Sequence, residues 1–352
     1  MKTKIYEIGS AFDAALIEEA GSIIRQGGLV AFPTETVYGL GGDALNPLAA
    51  ERIYAAKGRP ADNPLIIHLC RTEDVKKIAD DIPALFYVLA EKFWPGPLTM
   101  IVKKSSRVPD STTGGLPTVA VRMPDHAAAL CLINAAGGFV AAPSANLSGR
   151  PSPTVSKYVV EDMNGRIDMI LAAGQTEIGV ESTILDLSGA KPEILRPGAV
   201  TQAMLAPFIG IPAKAAAENE PDGPPRAPGM KYRHYAPKGF MQIVKGEEKA
   251  VISYINENVL KERANNLITG VIASTQTSSE YLADIVKSIG SRLNDEEIAR
   301  SLYRILREFD DERADVIYSE AFSGYGMGQA IMNRLLKASS GQVIHLRAKN
   351  GG

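Results

Sequence analysis

Apolar positions recur in two rhythms along this chain, and the rhythm switches often. Phe12, Leu16, Ala20, Ile23 and Ile24 fall at helical spacing, and Gly27-Gly28 ends the segment. Helices are predicted over 11–26, 47–56, 73–79, 84–93 and 127–136, with Asn46 capping the second and Pro47 at its first position. Short apolar runs at 29–32, 65–69, 98–102, 118–122, 139–142, 168–171, 182–187 and 193–195 have strand length. Trp94-Pro95-Gly96-Pro97 interrupts the pattern, and 33–43 reads as a glycine-rich connection between a strand and a helix. Helices and strands alternate, yet several strands follow one another directly, which predicts an α/β domain on a mixed sheet.

Between about 208 and 238 prolines accumulate, at 212, 221, 224, 225, 228 and 237, and the stretch reads as a linker. It ends in Met230-Lys231-Tyr232-Arg233-His234-Tyr235, a basic and aromatic run that a passive spacer does not need. A second alternating pattern follows. Strands are predicted at 240–244, 268–273, 314–318 and 342–346, and helices near 247–262, 295–309 and 328–338, as in a small doubly wound domain. The predicted organisation is therefore 1–210, a connecting segment 211–238, and a Rossmann-like domain 239–352.

The totals exclude several classes. The chain has 352 residues, 45% hydrophobic and 22% charged, an ordinary globular composition. A net charge of −2 argues against a protein that coats nucleic acid, although local clustering of cations leaves weak RNA binding open. No run approaches the roughly 20 apolar residues that cross a bilayer, and Met1–Ile8 lacks the core of a signal peptide. Cys70 and Cys131 stand outside any metal or redox spacing and read as buried thiols in a reducing, cytoplasmic setting. Four histidines without ligand spacing give no protein-only metal site, and no nucleophile–base–acid triad is visible.

Chemistry concentrates in two clusters. Lys57-Gly58-Arg59-Pro60 runs into Asn63-Pro64-Leu65-Ile66-Ile67-His68, and Ala142-Pro143-Ser144-Ala145-Asn146-Leu147-Ser148-Gly149-Arg150 follows a strand. Lys and Arg supply charge for anionic oxygens, while Ser and Asn supply neutral hydrogen bonds. Arg122 ends a strand before Met123-Pro124, and Arg196 stands in the same way before Pro197-Gly198. Ser182 opens a strand, so it needs an antiparallel neighbour to reach the edge where those cations end. Ser323-Gly324-Tyr325-Gly326-Met327-Gly328 precedes a helix and reads equally as a helix entry or an anion loop.

These segments, with Pro33-Thr34-Glu35-Thr36-Val37-Tyr38-Gly39-Leu40, Trp94-Pro95-Gly96-Pro97-Leu98-Thr99 and Val121-Arg122-Met123-Pro124, resemble the YrdC/YwlC family of threonylcarbamoyl-AMP synthases. The likeness covers roughly 10–205, and the later segments resemble the two-domain branch. It implies a twisted mixed sheet with a concave basic site. It also implies condensation of L-threonine, bicarbonate or CO2 and ATP, with magnesium carried by the nucleotide. The products would be threonylcarbamoyl-AMP and pyrophosphate, and a tRNA-modifying threonylcarbamoyl transferase complex would use the adenylate. Carried over by motif, Thr34, His68, Arg122, Ala142 and Ser182 would surround threonine. Lys57, Asn63, Thr118, Ser144, Ser152, Arg196 and Tyr235 would surround ATP. Arg59, Asn146 and His234 belong to the same motifs, with Lys57 and Arg59 as the catalytic cations.

Overall fold

The computed structural model describes residues 2–9, 12–210, 225–227 and 235–346. It divides into two compact units, 1–148 with 152–232, and 149–151 with 233–352.

The first unit is built on a ten-stranded mixed sheet. Its strands are β1 (Lys4–Glu7), β2 (Val30–Phe32), β3 (Gly39–Asp43), β4 (Ile66–His68), β5 (Leu98–Lys103), β6 (Thr118–Arg122), β7 (Val140–Ala141), β8 (Met169–Ala172), β9 (Thr183–Asp186) and β10 (Glu193–Arg196). They lie in the order β1-β8-β2-β3-β7-β4-β6-β5-β9-β10. The helices are α1 (Ala14–Arg25), α2 (Pro47–Lys57), α3 (Ala84–Phe93), α4 (Asp110–Thr113), α5 (Ala127–Ala135), α6 (Ser156–Met163) and α7 (Gln202–Ile209). Asp13 and Asn46 cap α1 and α2 through their side chains, and Gly58 closes α2 in the left-handed conformation.

Strand alternation sorts the apolar residues onto two faces. One face carries Ile67, Leu69, Met100, Val102, Val119, Val121 and Leu185, packed with Ile53, Phe86, Leu89 and Val159 of α2, α3 and α6 into the main core. On the other face, α1 and α5 cover Val30, Phe32, Val140, Ala142, Met169 and Leu171. Beside that covered area, Ile66, Ile101, Ala120, Ile184 and Leu195 form a smaller cluster that no helix of the described residues joins. Ala227, from the short described piece of the connecting segment, is buried in that cluster.

The glycine-rich stretch differs from expectation at Gly39–Asp43. It is a strand, paired antiparallel with β2 and β7, rather than a connection. Glycine is required there by space: a Cβ on Gly41 would sit 2.8 Å from Val140 Cγ1 and 2.9 Å from the Phe32 ring. The two thiols also differ from expectation. Cys131 is exposed and Cys70 partly so, because the outer face of α5 leaves a groove against α1.

The second unit carries a five-stranded parallel sheet, β11 (Phe240–Lys245), β12 (Thr269–Ala273), β13 (Ile285–Ser288), β14 (Val316–Glu320) and β15 (Val343–His345), in the order β13-β12-β14-β11-β15. Its helices are α8 (Glu248–Ala264), α9 (Asp295–Asp311) and α10 (Met327–Ala338). The predicted Rossmann-like alternation holds, with β13 the strand not foreseen. Arg307 Nε donates to Pro151 O at 3.1 Å, and Ala236 N donates to Gly149 O at 3.0 Å, which binds 149–151 into this unit.

Candidate functional site

Pairing register gathers the polar residues of the first unit. β4 runs parallel to β6, so His68 stands opposite Arg122, and β7 runs antiparallel to β4, so His68 also faces Val140. β5 is antiparallel to β6 and parallel to β9, which brings the start of β9 to the end of β6. Ser182, just before β9, thereby has the antiparallel relation the sequence required. Arg196, at the end of β10, comes back to it: Nε donates to Ser182 O at 3.1 Å, and a terminal nitrogen donates to Ser182 O at 3.0 Å and to Oγ at 3.1 Å. Ser182 Oγ and Thr99 Oγ1 lie 2.8 Å apart.

A second group lies at the other end of β4 and β6. Asn63 and Pro64 lead into β4 beside the start of β6, where Thr118 begins the strand. Thr118 and Arg122 share a face but stand about 13 Å apart along the strand. A ligand touching both would span the length of β6. Arg59 Nε donates to Asn63 O at 3.3 Å and a terminal nitrogen donates to Pro64 O at 3.0 Å. Asn63 is buried with its Oδ1 unpartnered.

Lys57 is the last residue of α2, yet it is only 3% exposed. Its ammonium donates to Ser144 O, to Asn146 O at 2.6 Å and to Asn146 Oδ1 at 3.4 Å. The charge is thus placed under the Ser144–Asn146 loop rather than in solvent at a helix end. Ser144 Oγ donates to Asn146 Oδ1 at 2.5 Å, and Asn146 Nδ2 to Leu147 O at 2.8 Å. Gly39 bridges to Ser144, and Ala145 N donates to Tyr38 O at 2.8 Å, fixing this loop on β3. Ser152 Oγ donates to Glu181 Oε1 at 2.6 Å, one residue before Ser182.

Thr34 is turned into its own loop, where Oγ1 donates to Val37 O at 2.6 Å and lies 2.9 Å from Thr36 Oγ1. Ala142 follows β7, its N donating to Ile66 O at 2.9 Å. His68 is buried beside Arg122, and burial first and that cation second push its pKa down to about 3. Its ring is neutral at pH 7, with Nδ1 3.2 Å from Ile66 O and its plane nearly perpendicular to the Phe32 ring. Tyr235 belongs to the second unit, where its ring lies 5.1 Å from that of Tyr303. His234 lies outside the described residues.

Sequence reasoning passed over Glu35. It is 3% exposed, and Arg122, 4% exposed, approaches its Oε1 at 2.6 Å. The signal was present as a carboxylate between two threonines in a segment with no polar face to solvate it. Among the described residues there is no group of three or more acidic, histidine or cysteine side chains placed to hold a metal, and no helix long and apolar enough to cross a membrane.

The chain thus joins a mixed sheet that gathers buried cations and small polar side chains to a parallel α/β domain. Residues 22–198 match the Sua5–YciO–YrdC family, described as Telomere recombination, and residues 200–340 match a family described as Threonylcarbamoyl-AMP synthase, C-terminal domain. The chain belongs to the Sua5–YciO–YrdC family, in its two-domain form. The threonylcarbamoyl-AMP synthase of Pyrococcus abyssi is 46% identical over 343 residues, covering 97% of this chain and 99% of that protein. The Bacillus subtilis enzyme of the same name is 44% identical over 93% of this chain and 94% of its own. The crystal structure of P. abyssi Sua5 complexed with L-threonine superposes with a TM-score of 0.93 at 45% identity, over 98% of this chain and 100% of that one.

Proposed function

We propose that this chain is a threonylcarbamoyl-AMP synthase, a nucleotidyltransferase that joins L-threonine, bicarbonate or CO2 and ATP and releases pyrophosphate. The observation that carries the reading is the separation of two polar groups along β4 and β6. His68, Arg122, Ser182 and Arg196 gather at one end; Arg59, Asn63 and Thr118 gather at the other. An amino acid at the first end and a nucleotide reaching toward the second would meet on the open sheet face.

The threonine ammonium loses a proton to solvent, the free amine adds to CO2, and a second N–H proton is released to solvent to give a carbamate. A carbamate oxygen then bonds to the α-phosphorus of ATP while the bond from that phosphorus to the bridging oxygen breaks and pyrophosphate leaves. Both reactants are anions, so positioning and charge stabilisation dominate. Lys57, Arg59 and Arg196 supply fixed positive charge, and the magnesium arrives as part of the nucleotide and screens its phosphates. The neutral His68 ring packs beside Arg122 without adding a second charge. Thr34 and Ala142 complete the threonine end; Ser144, Asn146 and Ser152 complete the nucleotide end.

Carbamate and mixed anhydride both hydrolyse, so the site must exclude water. The expected cover, 213–237, lies mostly outside the described residues; within them, Ala227 is buried on the open face against Ile66, Ile101 and Leu195. The adenylate passes in the cytoplasm to a tRNA-modifying transferase complex. Replacing threonine by carbamoyl phosphate tests the substrate class: threonine-dependent pyrophosphate release is expected, and release with carbamoyl phosphate alone would sink the reading.

A further inference from the structure

The second unit has no part in the chemistry above, yet it holds a piece of chain that belongs in sequence to the nucleotide end. Gly149, Arg150 and Pro151 continue the Ser144–Asn146 loop and lead into Ser152, and they belong to the second unit. Each of the three is held there by a different contact. Ala236 N donates to Gly149 O at 3.0 Å. Arg150 forms an ion pair with Asp310 Oδ2 at 3.6 Å. Arg307 Nε donates to Pro151 O at 3.1 Å.

The hold comes from one stripe of α9. Tyr303, Arg307 and Asp310 recur at i, i+4 and i+7, so they lie on one side of the helix. Tyr303 packs against the ring of Tyr235 at 5.1 Å between centroids, and Asp310 Oδ1 accepts from Lys238 N at 2.7 Å. Arg307 is fully buried, in a helix whose neighbouring buried positions are Leu302, Ile305, Leu306 and Phe309. An apolar residue would fill its place at lower cost, because a buried guanidinium must have its N–H groups met. Packing alone therefore does not account for an arginine there; the chain it holds does. Both flanks of the held piece carry contacts of the nucleotide end. Ser148 N donates to Lys57 O at 2.9 Å before it, and Ser152 Oγ donates to Glu181 Oε1 at 2.6 Å after it.

We propose that α9 is a positioning element for the nucleotide loop. Arg307 and Asp310, acting through 149–151, fix Ser144, Asn146 and Ser152 where they meet ATP. The inference rests on the reading of those three residues as the nucleotide end, and it gives the second unit its role in that reading. The threonine end is set by strand pairing within the ten-stranded sheet and does not depend on α9.

The test is calorimetry on the full chain with two ligands, a non-hydrolysable ATP analogue with magnesium and L-threonine. Arg307→Met keeps the length of the side chain and removes its donors; Arg307→Lys keeps the charge and one donor group. The Met variant is expected to bind the analogue at least about tenfold more weakly, the usual worth of a hydrogen bond from a charged group, with threonine affinity within about twofold of wild type. The Lys variant should recover part of the loss. If Arg307 serves only the packing of the second unit, the Met variant lowers the denaturation midpoint and leaves both affinities unchanged, and the inference is overturned. Equal weakening of both ligands overturns it too. Should Arg307→Met not fold, Asp310→Asn decides, since it keeps an acceptor for Lys238 N and removes only the charge opposite Arg150. About threefold weaker analogue binding with unchanged threonine binding is then expected, and unchanged analogue binding overturns the inference. A wild-type chain that binds threonine but no nucleotide analogue contradicts the nucleotide reading itself, an outcome seen before any substitution is made.

Discussion

Single residues in this site are defined by what burial does to their charge. His68 illustrates it. Its folded pKa, about 3, lies below the ordinary histidine value, so below roughly pH 6.5 the unfolded chain binds a proton that the folded chain refuses. The stabilising contribution is complete above that value and is lost as pH falls toward 3. We expect a ring NMR signal from His68 that does not titrate down to about pH 4, together with a fall in denaturation midpoint between pH 7 and 5 that His68→Gln lessens. A ring that titrates near pH 6 would contradict the geometry. Arg59 is the second case. Its guanidinium ties Asn63 and Pro64 to the end of α2, and Arg59→Ala should cost roughly 1.5–3 kcal/mol, at least tenfold in rate of adenylate formation. Lys57 was legible as a cation beside a glycine. Its burial was not, because a charge after a helix is ordinarily solvated and only the distant Ser144–Asn146 loop explains its placement.

At the scale of elements, periodicity made most of the fold legible. β4, β5, β6, β9 and β10 carry short apolar runs, and α1, α2 and α9 carry helical stripes or caps, so each announces itself locally. The strand β3 did not, since Gly-Leu-Gly-Gly-Asp has neither β-branched residues nor alternation; its conformation is set by Phe32 and Val140, which leave no room for a Cβ. The strand order was equally hidden, because β4 and β6 become neighbours through pairing that no local pattern encodes. Tight approach recurs at the site. A Cβ on Gly198 would collide with the backbone of Ser182 and Thr183, its nearest carbon 2.7 Å away at Ser182 C. Gly198→Ala is therefore expected to destabilise by about 1–3 kcal/mol and to weaken threonine binding through displaced Ser182. Unchanged denaturation and unchanged binding would show that the loop relaxes freely. Arg226 makes ion pairs with Asp186 and Glu193 and anchors the described piece of the connecting segment. Arg226→Ala should change stability by less than about 1 kcal/mol, since the pair is half exposed. It should still raise the share of threonylcarbamoyl product lost to hydrolysis, read as free threonine released per pyrophosphate; an unchanged ratio would remove this anchor from the covering role.

The whole molecule combines a ten-stranded mixed sheet with a five-stranded parallel one. Residues 149–151 join the second unit, although they continue the Ser144–Asn146 loop and precede Ser152. No local pattern in the sequence encodes this exchange, which depends on Arg307 and Ala236 hydrogen bonds to Pro151 and Gly149. The central claim concerns the first unit: one open sheet face holds an amino acid and a nucleotide close enough to be joined. Incubating the chain with ATP, bicarbonate, magnesium and labelled threonine, then analysing the mixture by mass spectrometry, tests it most directly. The predicted result is a labelled adenylate formed in step with pyrophosphate and abolished when threonine or bicarbonate is left out. Pyrophosphate without a threonine-bearing adenylate, or no ATP consumption by folded protein, would contradict it.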